Sequence, residues 1–413
     1  MEALTYSTVA VTLGLVVARP RIGPRFRITP AVAALAGVAV LTALGSVRLG
    51  DVGWAARTMW RPLLGIVSIM VMTGVARRAG VLAGVADVVF ARAADSPKRL
   101  FALVFAFGAV TAAVLNNDSA ILLLTPLVID SAKRRHPTLV IPLAFAVFLS
   151  AGVAPLIVSN PMNMVVASVS GIGFNEYAWR MTVPAVAGWL VTFAVAYLAF
   201  RRTIRAAAIS AAARARETTE RLGSLDRGQK VVLVALGSVV LAYPVVSWFG
   251  GPVWVVAACG AVFLLVLAAR QGYKPLAIAR GEIHFDVLLF LMAALVLSIG
   301  LRNAGLVDRL ADLYRGAGPM KIGAVSALGS AVLNNHPMGH LNMMALSGSG
   351  HTGVLAALIG GDLGPRLFPM GSLAGLLWLE MLRRSGVEVS VRKFVLVGAA
   401  ATLPTLLVCL ALL

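Results

Sequence analysis

The chain has 413 residues, of which 59% are apolar and only 13% charged, and its mean hydropathy is +0.90. An ordinary soluble domain is about a quarter charged, so a soluble globular fold is excluded and an all-α polytopic membrane protein is expected. Thirty-six basic residues against 17 acidic ones give a net charge of +19. The basic residues sit in short loops between apolar runs, which is the positive-inside pattern of a chain in a lipid bilayer rather than a nucleic-acid surface.

Crossing the hydrocarbon takes about 20 residues of helix. Ten candidate spans follow: roughly 4–18, 30–45, 62–76, 138–165, 181–200, 229–247, 253–269, 284–301, 353–378 and 394–413. The first is followed, not preceded, by Arg19, Arg21, Arg25 and Arg27. A signal peptide has its basic residues first, so this segment reads as a retained helix. Two regions, about 100–132 and 320–348, are too long for single spans and carry polar pairs at their centres. Each is expected to form a re-entrant hairpin. Prolines within the apolar stretches, among them Pro126, Pro155, Pro161, Pro337, Pro365 and Pro369, predict helix breaks.

Basic loops occur at 19–28, 77–99, 133–135, 201–230, 270–280 and 383–393. Ten spans and two hairpins put all of them on one face, the cytoplasmic one, with both termini outside; Arg302, Arg309 and Arg315 are the exceptions. The Ala- and Arg-rich segment 201–230 is expected to be a cytoplasmic amphipathic helix and loop.

Val114-Leu115-Asn116-Asn117-Asp118 recurs as Val332-Leu333-Asn334-Asn335-His336. Gly74 to Val81 resembles Gly300 to Leu306, and Asn160-Pro161-Met162-Asn163 is matched with Phe368-Pro369-Met370-Gly371. Counterpart spans 62–76 and 284–301 enter the membrane in opposite directions in this topology. The expected organisation is therefore an inverted-topology repeat, with 62–200 and 284–413 as its halves, 1–61 as added N-terminal helices and 201–283 as the cytoplasmic loop and linking helices.

An amide in an apolar interior costs several kcal/mol unless it is hydrogen-bonded. Paired breaks at matching places in two halves point to a transporter site made from discontinuous helices. Asn116, Asn117, Asn163, Asn334, Asn335 and Ser372 are the candidate substrate contacts, although every one of them would also serve to satisfy a break. Asp118 and Asp362 are the candidates for proton coupling. Asp118 and Ser119 would alternatively cap the returning helix, and Asp362 would alternatively pair with Arg366 four residues on. His336 and His340 have an i, i+4 spacing but no third ligand and no HExxH pattern, so no metal site is expected. Ser347-Gly348-Ser349-Gly350-His351 reads as an exposed turn rather than the nucleophile of a hydrolase. Cys259 and Cys409 are isolated within apolar runs and form neither a disulfide framework nor a metal pair. No cofactor is expected.

Three stretches resemble the arsenical-resistance membrane pumps, the ArsB-type permeases of the ion transporter superfamily. They are Leu115-Asn116-Asn117-Asp118-Ser119-Ala120 through Leu124-Thr125-Pro126, then Leu333-Asn334-Asn335, then Gly361-Asp362-Leu363-Gly364-Pro365 through Gly371-Ser372-Leu373-Ala374-Gly375-Leu376-Leu377-Trp378. The Gly-Asp-Leu-Gly-Pro run with the following Pro-x-Gly-Ser-Leu-Ala is the specific part, because an Asn pair also occurs in sodium/proton antiporters. The resemblance implies efflux of arsenite and antimonite from the bacterial cytoplasm in exchange for protons. It also implies that a cytosolic arsenical-pump ATPase and a second copy of the chain are candidate partners. His336 stands where the family leads one to expect leucine. The alternatives are a sodium/proton antiporter of the same fold, an organic-anion symporter and, from a different class, a channel.

Overall fold

The computed structural model describes residues 2–22, 26–93, 96–214 and 224–413. Two helices open the chain, α1 (Glu2–Ala18) and α2 (Pro30–Ala43), joined through a two-residue antiparallel pair, Arg21–Ile22 with Phe26–Arg27. Next come α3 (Leu49–Arg78), α4 (Val81–Arg92), α5 (Pro97–Leu115), α6 (Asn117–Arg135), α7 (Val140–Ser150), α8 (Pro161–Val169) and α9 (Phe174–Arg214). Helices α10 (Arg227–Trp248), α11 (Val253–Arg270) and α12 (Pro275–Glu282) follow. The remainder is α13 (Phe285–Asn303), α14 (Leu306–Tyr314), α15 (Pro319–Leu333), α16 (Asn335–Ala345), α17 (His351–Leu363), α18 (Leu373–Arg384) and α19 (Val391–Ala411).

Seven of these helices (α3, α5, α9, α10, α11, α13 and α19) are long and apolar enough to cross a membrane. The expected spans 4–18 and 30–45 correspond to the shorter α1 and α2. Spans 138–165 and 353–378 are each two helices with a 3₁₀ turn between them, Ile157–Ser159 in the first and Gly364–Arg366 with Pro369–Gly371 in the second. Within the basic 201–230 segment, α9 continues through Arg214, and residues 215–223 lie outside the described ones.

The order of elements from α3 to α9 repeats from α13 to α19. A long helix ends, and a glycine in the left-handed region starts a short helix: Gly80 at φ 70° before α4, Gly305 at φ 79° before α14. Two helices then meet at a single asparagine, Asn116 or Asn334, and a broken helix and a long helix close each series. The 3₁₀ turns fix the register between the two breaks. Pro161 is the first residue of α8, whereas Pro369 starts a 3₁₀ turn, and Asn160 and Ser372 are the residues that cap α8 and α18. The matched Pro-Met dipeptides are therefore not structural counterparts, because the cap and not the proline sets where each half-helix begins.

Packing is crosswise. Helix α16 lies on α8, while α18 lies on α6, so each broken helix covers the hairpin of the other series. An aromatic cluster binds α7, α9, α18 and α19: Trp378 stacks on Phe148 at 4.8 Å and meets Phe145 edge-on at 5.1 Å, and Phe145 and Phe148 reach Phe200 and Phe394. Such pairs contribute about 0.5–1.5 kcal/mol each beyond their burial. Between α9 and α19 the contact is polar, through Thr192 and Thr405 at 2.9 Å and the Cys409 thiol on the Pro184 carbonyl. In lipid, hydrogen bonds and close packing, not water exclusion, hold helices together. The three exceptional arginines each meet a carboxylate: Arg302 with Asp51, Arg309 with Glu2, Arg315 with Asp312.

Helices α15 and α17 approach backbone to backbone. A Cβ at Gly360 would collide with the Gly323 carbonyl, and one at Gly364 with the Ala327 carbonyl. Gly360→Val is expected to destabilise the protein by about 1–3 kcal/mol through overpacking. Gly53→Ala, on α3 with open space around the new methyl, should be neutral or stabilising by up to about 1 kcal/mol. Thermal unfolding of the purified protein, followed by size exclusion, distinguishes the two.

Candidate functional site

Two hairpin tips and two helix breaks form one continuous set of contacts. At each tip the chain reverses through one residue with positive φ, Asn116 at 120° and Asn334 at 78°. Apart from Arg19 these are the only non-glycine residues with positive φ among those described. Holding a side chain there costs about 1–3 kcal/mol. Asparagine offsets part of that by capping the next helix. Asn116 Oδ1 accepts from the Ser119 N–H at 2.7 Å, and Asn334 Oδ1 accepts from the His336 N–H at 3.3 Å. The expected cap by Asp118 and Ser119 is thus replaced by one from Asn116, because the residue that turns the chain is the one whose side chain faces the free N–H groups. Among the described residues nothing donates to the Asp118 carboxylate, which is half-buried in the first turn of α6.

The second asparagine of each pair has a different position. Asn117 donates its amide to the Gly152 carbonyl at 3.1 Å, linking the first tip to the first break. Its Oδ1 is buried and has no donor among the described residues, and the same is true of Asn335 Oδ1. The sequence ranks the four amides alike; the fold gives two of them caps and leaves the other two with free acceptors.

At the first break Asn160 caps α8 by accepting from the Met162 N–H at 3.0 Å, and its Nδ2 donates to Asp362 Oδ1 at 2.6 Å. Asn163 Nδ2 donates to Asp362 Oδ2 at 2.9 Å and to the Tyr177 hydroxyl at 3.0 Å, which uses both amide hydrogens. Asn163 Oδ1 has no donor. Asp362, 6% exposed, is therefore clamped by two amides from the other series of helices. Ser372 caps α18 through its hydroxyl, accepting from the Gly375 N–H at 3.0 Å.

Asp362 does not pair with Arg366. The helix ends at Leu363 and Gly364–Arg366 is a 3₁₀ turn, so the two residues lose the shared face that i, i+4 spacing requires. Arg366, 3% exposed, donates to the carbonyls of Leu149 and Ala151 at 2.6 and 3.1 Å and to Thr192 at 3.4 Å. It closes the open C-terminal end of α7, where orphan carbonyls carry partial negative charge.

The second tip holds His336 and His340. His336 lies edge-on to Phe290 at 6.1 Å, and its Nδ1 is buried without a hydrogen bond. Among the described residues there is no group of three metal-binding side chains. Met162 packs against both Gly339 of α16 and Gly361 of α17, so the first break touches the second tip and the second break at one side chain.

Three members of the constellation are absent from the list of sequence candidates. Asn160 is signalled by the Asn-Pro pair, a cap followed by proline at the first helical position. Tyr177 and Arg366 carry no such signal: Tyr177 meets Asn163 only through the turn between α8 and α9, and the carbonyls that Arg366 meets lie more than 200 residues away.

The arsenical pump membrane protein family matches residues 6–413. The arsenical pump membrane protein of Yersinia enterocolitica is 30% identical over 432 aligned positions, 99% of this chain and 97% of that one. That of Escherichia coli K12 is 30% identical with 91% of each chain covered, and an uncharacterised transporter of Mycobacterium tuberculosis is 28% identical over 91% of each. The crystal structure of the Alcanivorax borkumensis YdaH transporter, described as having an unusual topology, superposes with a TM-score of 0.57. It has 16% identity and covers 100% of this chain and 97% of its own, a likeness of fold. With the family matched over nearly its whole length, the chain belongs to the arsenical pump membrane protein (ArsB) family.

Proposed function

We propose that this membrane transporter exports arsenite and antimonite across the bacterial cytoplasmic membrane in exchange for protons. The observation that carries the reading is the set of buried amide oxygens without donors, Asn117 Oδ1, Asn163 Oδ1 and Asn335 Oδ1. Near neutral pH, trivalent arsenite and antimonite are uncharged trihydroxides with three O–H donors each. Orphaned acceptors in a dry interior are the complement of such a solute. Asn116, Asn334 and Ser372, as helix caps, hold the half-helix ends around it.

A three-thiolate site is not available. The chain has only Cys259 and Cys409, and the Cys409 thiol is engaged with the Pro184 carbonyl. The substrate is therefore held as its hydroxide. The Cys259→Ser/Cys409→Ser double variant should transport within about twofold of wild type, since serine keeps the hydrogen bond to Pro184.

A neutral solute gains nothing from the membrane potential, but an inward proton gains about 3.5 kcal/mol at ~150 mV, enough for a gradient of a few hundred-fold. Asp118 and Asp362 are the coupling carboxylates. Asp118 takes up a proton while the site faces outward, and Asp362 sits at the junction of the two series of helices. Both Asp362 oxygens face amide N–H donors rather than further oxygen ligands, so its surroundings are not those of a sodium site built from oxygens. The repeated element order supports an inverted repeat over 62–200 and 284–413. The basic loops support a cytoplasmic face there, with both termini outside. An ATPase partner and a homodimer rest on family likeness, and the proton cycle needs neither.

The test is uptake of antimonite and arsenite into everted vesicles with and without an imposed proton gradient. Wild type should accumulate both only with the gradient. Asp118→Asn and Asp362→Asn should each lower gradient-driven uptake at least about tenfold. A wild-type rate in Asp118→Asn removes that residue from the cycle, and sodium-dependent proton release without either metalloid points to the antiporter instead.

A further inference from the structure

The Asp362–Asn163–Tyr177 chain has a property that the transport reading alone does not require. We infer that the Asn163 side-chain amide is a two-position switch that makes proton binding at Asp362 and substrate binding weaken one another, with Tyr177 as the positioning residue that sets its balance. The inference rests on the proton-coupled reading above and names the atoms that do the coupling.

The hydrogen-bond inventory motivates the switch. In the present orientation Asn163 Nδ2 donates to Asp362 Oδ2 and to the Tyr177 oxygen, an arrangement that favours an ionised carboxylate. Two groups are left without partners: Asn163 Oδ1, buried and without a donor, and the Tyr177 O–H, which has no acceptor among the described residues. A proton arriving on Oδ2 and directed at Asn163 faces another donor. Turning the amide by half a revolution resolves the conflict. Asn163 Oδ1 then accepts from both the Asp362 carboxyl and the Tyr177 hydroxyl, and Nδ2 takes the place Oδ1 held.

The other carboxylate oxygen cannot serve in the same way. Asn160 donates to Asp362 Oδ1 while its own oxygen caps α8 at Met162. Turning Asn160 would strip the cap, so the proton goes to Oδ2.

The consequence for transport is direct. With Asp362 ionised, Asn163 offers an acceptor to a metalloid O–H; with Asp362 protonated, it offers a donor instead. The proton therefore replaces an acceptor by a donor, which can meet only a lone pair of a metalloid hydroxyl and leaves its O–H without that partner, while substrate bound there holds the amide in the orientation that disfavours the proton. Reciprocal weakening of this kind favours exchange. The other ionisable groups on elements packed around Asp362 are Arg366, His351 at the start of α17, His336 and His340 on α16, Arg392, Lys393 and Cys409 on α19, Lys321 at the start of α15 and, acting through space, Asp118. None of these is hydrogen-bonded to Asn163 or Asp362.

The experiment measures antimonite half-saturation against pH for the full-length protein in proteoliposomes. Wild type should bind more weakly as pH falls, with a single midpoint. The Tyr177 hydroxyl is satisfied only in the protonated state, so Tyr177→Phe should move the midpoint toward acid by about 0.5–1 pH unit. Loss of pH dependence in Asp362→Asn together with an unmoved midpoint in Tyr177→Phe, even with a lowered maximal rate, overturns the switch and leaves the coupling carboxylate standing. Retention of the wild-type pH profile in Asp362→Asn instead overturns the proton reading beneath it. Should Tyr177→Phe fail to fold, infrared difference spectra of asparagine-labelled wild type between high and low pH decide the matter. An asparagine side-chain band that shifts together with the protonated carboxyl supports the switch, and a carboxyl band alone refutes it.

Discussion

A helix that starts or stops inside an apolar interior leaves backbone groups that must find partners, and this protein supplies side chains for them at the half-helix starts and at the end of α7. Four half-helices begin there, and each is closed by one side chain: Asn116 for α6, Asn160 for α8, Asn334 for α16 and Ser372 for α18. The C-terminal end of α7 is closed by a guanidinium from the other series, Arg366. Were these groups left open, each would cost several kcal/mol. The hairpins, the crosswise packing and the central amides all exist on the condition that those ends are satisfied.

Meeting that condition also generates the site. A cap uses one end of an asparagine side chain and fixes the other. Asn160 caps with its oxygen and so points its Nδ2 at Asp362. Asn116 turns the chain, which places Asn117 at the first helical position with its own oxygen buried and unused. The glycines follow the same logic. The Gly-Asp-Leu-Gly-Pro run brings α17 against the backbone of α15 and against Met162, so its glycines serve close approach while its aspartate faces the amides. Arg366 is buried beside this group, with its guanidinium donating to the carbonyls that end α7.

Much of this was readable from residue order. Amides in the middle of apolar runs are costly enough to stand out, so both tips and both breaks are visible as interruptions, and the prolines mark where helices stop. The division of labour within each Asn pair was not readable, because it depends on which residue takes positive φ. The partners of Tyr177 and Arg366 were not readable for a different reason: Tyr177 meets Asn163 across the turn between α8 and α9, and Arg366, close to Asp362 in sequence, reaches carbonyls more than 200 residues away. The Pro-Met match misled by a few positions, since a proline opens an α-helix in one break and a 3₁₀ turn in the other.

The sequence by itself determined that the chain lies in a membrane, where its helices break and which polar residues are stranded there. Hydrophobicity and the cost of an unpaired amide are local properties that each residue carries wherever it is placed. Only the tertiary structure decided which stranded group satisfies which, giving Asp362 to Asn160 and Asn163 rather than to Arg366 and leaving Asn117, Asn163 and Asn335 with free oxygens. Hydrogen bonds are short and directional, so a pairing between distant residues is settled when the helices pack and not before.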